Sequence, residues 1–213
     1  ILIVGAGPAG IIAALAAGKA GAKVILADED FLMGGRLNSE LLEIDEMLGP
    51  DWARKAIEQL SNMKNVRLMN RTTIYGSYDH GVFGALERCT DHLLHSDGKP
   101  RQILWKIYSK KSILAAGAIE RPIAFGNNDR PGIMTASAVR AYGNRWGVLP
   151  GKRTAIFTNN DDGWATAKTL SDRGLEVTAV IDSRKCDPVE NIPGASIIMG
   201  GKIVNTAGRK RNK

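Results

Sequence analysis

The sequence predicts an α/β fold made of two dinucleotide-binding-type units, the second degenerate and cut short. Three observations carry that prediction. Short apolar strands alternate with helix-like segments along much of the 213 residues, the pattern of a parallel sheet with crossover helices. A glycine-rich turn, "GAGPAG" (Gly5 to Gly10), lies between the first strand and the first helix. At Pro150-Gly151 the strand-turn-helix pattern restarts, but its turn reads "TNNDDG", Thr158 to Gly163.

The elements follow in order. "ILIV" (Ile1–Val4) is a short apolar strand, and alanine-rich Pro8–Lys19 a helix. Lys23–Asp28 is a second buried strand, followed by a loop containing Gly34-Gly35. Asp51–Met63 has helical apolar spacing, with Trp52, Ala56, Ile57 and Leu60 on one face and Asp51 placed to cap it. Val66–Met69 is a third strand, and Thr72–Tyr78, Val82–Glu87 and Gln102–Tyr108 read as antiparallel strands. Lys111–Ala118 is expected to be a buried strand ending in small residues. A helix is predicted near Thr135–Trp146. The second unit then gives a strand in "TAIFT", a helix over Asp162–Arg173 and a strand over Glu176–Asp182. Ser196–Met199 and Lys202–Asn205 are two further strand-like runs. The domain reading is a first dinucleotide-binding domain over 1–120, a connecting segment over 121–150, and an incomplete second unit over 151–213.

Composition narrows the function. Apolar residues make up 44% and charged residues 24%, the balance of a globular chain rather than a disordered one. The net charge of +7 is scattered. Its one dense run, "GRKRNK" from Gly208 to Lys213, has no interleaved aromatic residues, so it reads as a solvated loop and no nucleic-acid partner is expected. The first 18 residues carry no charged side chain. Gly5, Gly7, Pro8 and Gly10 interrupt them with turn punctuation, so no membrane span is expected. Cys89 and Cys186 form neither a disulfide framework nor a CxxC pair, which points to a cytoplasmic chain. The start on a strand at Ile1 suggests a trimmed fragment. Cys89, His92 and His95 have a spacing that tempts a metal reading, but no fourth ligand lies nearby, so no metal is expected.

The chemistry resides in the first turn. Gly5 permits the tight turn, Gly7 lets backbone approach a pyrophosphate, and Gly10 lets helix and strand pack closely. The helix N-terminus, entered through Pro8 and Ala9, offers unpaired N–H groups and a positive dipole end. An acid should close the next strand to bind a ribose hydroxyl; Asp28 does so, with Glu29 beside it. Asp28 would repel a 2′-phosphate, which leaves NAD or FAD, a pair that this fingerprint alone does not separate. In the second unit, Thr158 stands opposite Gly5, Asn160 opposite Gly7 and Gly163 opposite Gly10. The packing glycine is kept and the two phosphate-approach glycines are absent. Asp161 and Asp162 would repel a phosphate by roughly 1 kcal/mol or more each, and they are expected to cap the helix instead. This unit reads as folded but empty.

Longer motifs carry a family resemblance. "GAGPAG…VILADED…GG", "RTTIYGSYD" (Arg71–Asp79), "GAIERPIAFGNNDRPGIMTASAVRAYGNRWGV" (Gly117–Val148) and "AVID" (Ala179–Asp182) resemble the alpha subunit of heterotetrameric sarcosine oxidase over nearly the whole chain. The resemblance implies a two-dinucleotide-binding-domain flavoprotein, a glutathione-reductase-like Rossmann fold. It implies NAD+ in the first site, FAD in the beta subunit, FMN at the alpha–beta interface, and beta, gamma and delta subunits as partners. The alternative it leaves open is an FAD-binding subunit of a related amine, opine or proline dehydrogenase complex. Carried over by motif, Ala9 lies beside the pyrophosphate, Asp28 and Glu29 at the adenosine ribose, and Asp30, Arg36 and Ile74 around the adenine end. Gly34 and Gly35 let their loop pass over the ribose and pyrophosphate. The family has a small hydroxyl residue where this chain has Arg36. Ala116 and Gly117, in "LAAGA", fit the small-residue motif beneath the dinucleotide. No catalytic residue is placed on this chain.

Overall fold

The structure, a computed structural model, describes residues 1–208; the basic run at the C-terminus lies almost wholly outside the described residues. The chain divides into two compact units, the first Ile1–Ala118 and the second beginning at Ile119. Residues 121–150, read from sequence as a connecting segment, therefore cluster with the second unit.

The first unit is built on a parallel sheet. Its elements begin β1 (Leu2–Val4), α1 (Pro8–Lys19), β2 (Val24–Ala27), a small hairpin of β3 (Glu43–Ile44) and β4 (Met47–Leu48), α2 (Gly49–Ser61) and β5 (Val66–Met69). An antiparallel group follows, β6 (Thr72–Tyr78), β7 (Val82–Arg88) and β8 (Gln102–Tyr108), and then β9 (Ser112–Leu114). The parallel sheet has the order β5-β2-β1-β9, and β6-β7-β8 form a separate sheet. Both faces of β1 are covered, which is why it reads as a continuous apolar run. Ile3 joins Ile11, Leu26, Trp52 and Leu60 on the helix side. Leu2 joins Phe83, Ala85 and Ile107 of the antiparallel sheet. Burying each such side chain contributes about 1.5–3 kcal/mol.

Two expectations in this unit are corrected. Asp51 does not cap α2: the cap position is Leu48, with Pro50 in the opening positions and Asp51 in the first turn. Proline there has no N–H to lose and a φ already helical, so it moves the start forward. The run Lys111–Ala118 is not a buried strand. Only Ser112–Leu114 pair, on the sheet edge beside β1, and Leu114 is 80% exposed.

The second unit contains α3 (Ala136–Trp146), β10 (Arg153–Thr158), α4 (Asp161–Asp172), β11 (Glu176–Asp182) and β12 (Ser196–Met199). Its sheet is parallel, in the order β10-β11-β12. Trp164, Leu170, Val177 and Val180 centre its core. The run Lys202–Asn205 forms no strand; its one ladder contact is an isolated bridge between Gly126 and Asn205.

The start of α3 is closed by a residue far back in the chain. Glu120 accepts from Ala136 N at 3.0 Å and from Ser137 N at 2.7 Å through its two carboxylate oxygens. These are orphan donors of the first turn, and the negative charge also suits the helix dipole. Glu120→Ala is expected to destabilise the second unit by about 1–2 kcal/mol, read by chemical denaturation, while Glu120→Gln loses less because it keeps one acceptor.

Candidate functional site

The glycine turn joins β1 to α1 at the carboxyl ends of the parallel strands, where open α/β sheets bind ligands. Each glycine has its own steric reason. Gly5 has φ +97°, and a Cβ there would collide with the Ala115 carbonyl. A Cβ on Gly10 would overlap the Gly5 carbonyl oxygen. These two serve the packing of strand, helix and the small-residue segment after β9. Gly7 differs: a Cβ there meets nothing within 4 Å, so packing within the chain does not demand its glycine. No side chain caps α1 and its first turn holds no acid, so the amides entering the helix lack a side-chain acceptor.

Asp28 follows β2 directly and braces the turn. One carboxylate oxygen accepts from Ala6 N at 2.5 Å and the other from Asp30 N at 2.8 Å. An ionised carboxylate accepts at about four lone-pair positions, which leaves capacity for ribose hydroxyls. Glu29 is exposed. Its carbonyl accepts from Arg88 Nη2 at 2.6 Å. Asp30 accepts from Leu32 N at 3.3 Å, and its carbonyl takes Arg71 N at 2.9 Å.

The Gly34-Gly35 loop lies directly against the first turn. Gly34 N donates to Ala6 O at 2.8 Å, and a Cβ on Gly35 would come within 2.9 Å of Gly7 Cα. Both residues have positive φ. Asn38, buried, holds this loop through its Nδ2, which donates to Leu32 O at 3.1 Å. Arg36 is forked onto Glu40, with Nη2 at 2.9 Å and Nε at 3.2 Å from Oε1. Its charge is thus largely met within the chain.

The structure brings together Gly5, Gly7, Gly10, Asp28, Asp30, Gly34 and Gly35 around one turn, with Pro8 and Ala9 exposed at the helix entrance. Ala115 and Ala116 backbone press on Gly5; Gly117, with φ +71°, follows in the open. Ile74 sits elsewhere in the unit. It pairs with Ala85 and packs beside Leu2, Phe83 and Ile107. Sequence reasoning missed Arg88, Asn38 and Glu40. Only the last had a legible signal, its i,i+4 spacing from Arg36. Two larger clefts lie away from the turn. One, of about 540 Å³, is at the opposite strand ends near Ile1, Lys23 and Lys64; the other, about 530 Å³, is on the antiparallel sheet near Tyr75 and Leu104.

The second unit repeats the frame with different contents. Gly163 packs as Gly10 does, since a Cβ there would overlap the Thr158 side chain. The cap of α4 is Asn160, whose side chain accepts from Asp162 N at 3.1 Å. Asp161 and Asp162 therefore do not cap the helix; they occupy its first turn and pair with arginines. Asp182, fully buried, matches Asp28 in position but accepts from Trp164 Nε1 at 2.8 Å and from Arg184 N at 2.9 Å. Arg184 hydrogen-bonding to it, with Trp164, outweighs burial and holds its carboxyl down at about 2.

Among the described residues no group of three His, Cys, Asp or Glu side chains is placed to hold a metal, and no helix is long and apolar enough to cross a membrane. Burial, with Glu87 and Asp91 nearby, pushes the Cys89 thiol up, the opposite of what a reactive thiolate needs.

A parallel sheet with an open glycine turn, followed by a second unit of the same frame, defines the class: a two-dinucleotide-binding-domain flavoprotein fold. Solved structures agree at the level of the fold. L-proline dehydrogenase from P. horikoshii aligns with TM-score 0.67 and 24% identity, over 89% of this chain and 36% of that one. Thioredoxin reductase from Lactococcus lactis aligns with TM-score 0.69 and 16% identity, over 98% and 66%. Residues 1–96 match the family model described as FAD dependent oxidoreductase.

In sequence the chain resembles the alpha subunits of sarcosine oxidases. It is 46% identical to that of Rhizobium meliloti (strain 1021) over 99% of its own length, and 39% identical to that of Corynebacterium sp. (strain U-96) over 97%. It spans 21% and 22% of those relatives. An opine oxidase subunit from Agrobacterium tumefaciens (strain Ach5) is 27% identical over 86% of this chain and 36% of that protein.

Proposed function

We propose that this chain is the nucleotide-binding portion of the alpha subunit of a heterotetrameric sarcosine (N-methylglycine) oxidase, and that its first unit holds NAD+. The observation that carries the reading is Gly7. Nothing inside the chain requires a glycine there, yet the turn around it is braced by Asp28 and Gly34 and opens onto an uncapped helix end. That combination suits a pyrophosphate laid against backbone. Asp28 and Glu29 suit a ribose with free hydroxyls and disfavour a 2′-phosphate. Ala9 would lie beside the pyrophosphate, Gly35 over it, and Ala116 and Gly117 beneath. The bound nucleotide would supply binding energy and order to this unit, while oxidative demethylation runs on FAD and FMN elsewhere in a cytoplasmic complex with beta, gamma and delta subunits.

One observation favours a second reading, FAD in this site of a related amine, opine or proline dehydrogenase complex: residues 1–96 match a model described as FAD dependent oxidoreductase. Denaturing the purified full complex and identifying the released nucleotides, followed by the same measurement on the isolated full-length subunit, separates the two. NAD+ released in stoichiometric amount from the subunit is the expected result. Stoichiometric FAD from the isolated subunit would replace the first reading by the second.

A further inference from the structure

The crevice above the carboxyl ends of β10 and β11 is crossed by the chain's own ion pairs. Arg184 follows β11 and reaches Asp161 in the first turn of α4, Nη2 to Oδ1 at 2.8 Å, while holding Asp182 at 2.8 Å with the same nitrogen. Arg140 of α3 is 2% exposed. Its Nη2 lies 2.9 and 2.8 Å from the two carboxylate oxygens of Asp162. Its Nη1 donates to the Asp162 carbonyl at 2.9 Å and to the Thr166 hydroxyl. Asp161 and Asp162 stand opposite Pro8 and Ala9 of the first unit, where that unit opens onto bare helix amides.

A phosphate at such a place would receive an arginine fork and the positive end of a helix. In this unit carboxylates already receive both. We propose that the second unit is an internally occupied nucleotide fold: the Asp162 carboxylate takes the anion's place on Arg140, Asp161 closes the crevice onto Arg184, and these two aspartates determine that the unit takes no second nucleotide. Emptiness here comes from a filled seat rather than from a missing one. The inference is independent of which nucleotide the first unit holds.

The test applies hydrogen-exchange mass spectrometry to the full-length subunit, reading peptides that cover α4 and β11. Asp162→Ala removes one partner of a buried pair, so exchange in the first turn of α4 is expected to quicken about tenfold or more. Low millimolar inorganic pyrophosphate, against chloride at equal ionic strength, should restore slow exchange in Asp162→Ala. It should leave the native protein and the Arg140→Met, Asp162→Ala double variant unchanged. Asp161→Asn with Asp162→Asn keeps both side-chain shapes and gives the same comparison should the alanine variant not fold. An equal pyrophosphate response with and without Arg140, or none in either neutralised variant, overturns the proposal.

Discussion

Gly10→Ala is expected to unfold the first unit, whereas Gly7→Val leaves it folded and strips it of nucleotide. The two glycines belong to one motif, yet the structure gives them different work. A Cβ on Gly10 would overlap the Gly5 carbonyl oxygen and come within 3.4 Å of Ala115 Cβ. Neither neighbour can yield cheaply. Gly5 is held at φ +97° with its N–H on Ala27 O at 2.8 Å, and Ala115 N is tied to Val4 O at 2.7 Å. The atom to be moved is therefore backbone at the junction of β1, α1 and β9. The cost is expected to exceed about 3 kcal/mol, beyond ordinary overpacking, a large share of the 5–15 kcal/mol typical of a domain. Gly7, at φ −73°, meets nothing within 4 Å. Gly7→Val should change stability by less than about 1 kcal/mol. Its branched side chain would fill the space through which a pyrophosphate approaches. Chemical denaturation paired with nucleotide retention on gel filtration checks both. A Gly7→Val protein that keeps its nucleotide would remove this turn from the binding site.

The contrast explains what the sequence could disclose. The glycine turn was legible because its demands are local: a tight turn, a close crossing and an open approach each fix a residue type at a fixed spacing. The same holds for α1 and for strands such as Val66–Met69 and Thr72–Tyr78, whose bounds follow from their own composition. Failures occur where distant partners decide. Asp161 and Asp162 look like caps beside a helix start. They are not, because Arg140 and Arg184 arrive from segments outside the motif and Asn160 already takes the amide. Lys202–Asn205 has strand-like side chains, but Val204 is 81% exposed and its neighbour Asn205 bridges only Gly126. Glu120 capping α3 and Arg88 bonded to the Glu29 carbonyl are likewise invisible without the fold that brings them together. The family resemblance reached further than these local signals, since the long run from Gly117 to Val148 identifies relatives that match 99% and 97% of the chain.

Asp182→Asn is expected to weaken the second unit by about 3–5 kcal/mol, the usual cost of removing one partner of a buried ion pair, and to flatten its response to acid. Asp182 is fully buried, and four bonds meet on it: Trp164 Nε1 at 2.8 Å, Arg184 N at 2.9 Å, and the Arg184 guanidinium at 3.1 and 2.8 Å through Nε and Nη2. An asparagine keeps the shape but turns two N–H groups into a site built entirely of donors, so at least one buried donor loses its acceptor. The charge has its own signature. The native carboxyl titrates at about 2, against an ordinary value of 3.8. The folded state therefore holds fewer protons than the unfolded chain between those values. Stability from this group is complete above about pH 4 and is lost as pH falls toward 2, roughly 2–3 kcal/mol in all. Urea denaturation of the second unit at successive pH values should show that loss in the native protein and lack it in the variant. An unchanged acid limb in Asp182→Asn would mean that Arg184 does not stabilise this carboxylate. The frame of the second unit would then rest on Trp164 and the apolar core alone. With the loss present, the acid that closes the second strand has exchanged a ribose for a tryptophan and an arginine, and the unit keeps the nucleotide fold by satisfying its ligand positions from within.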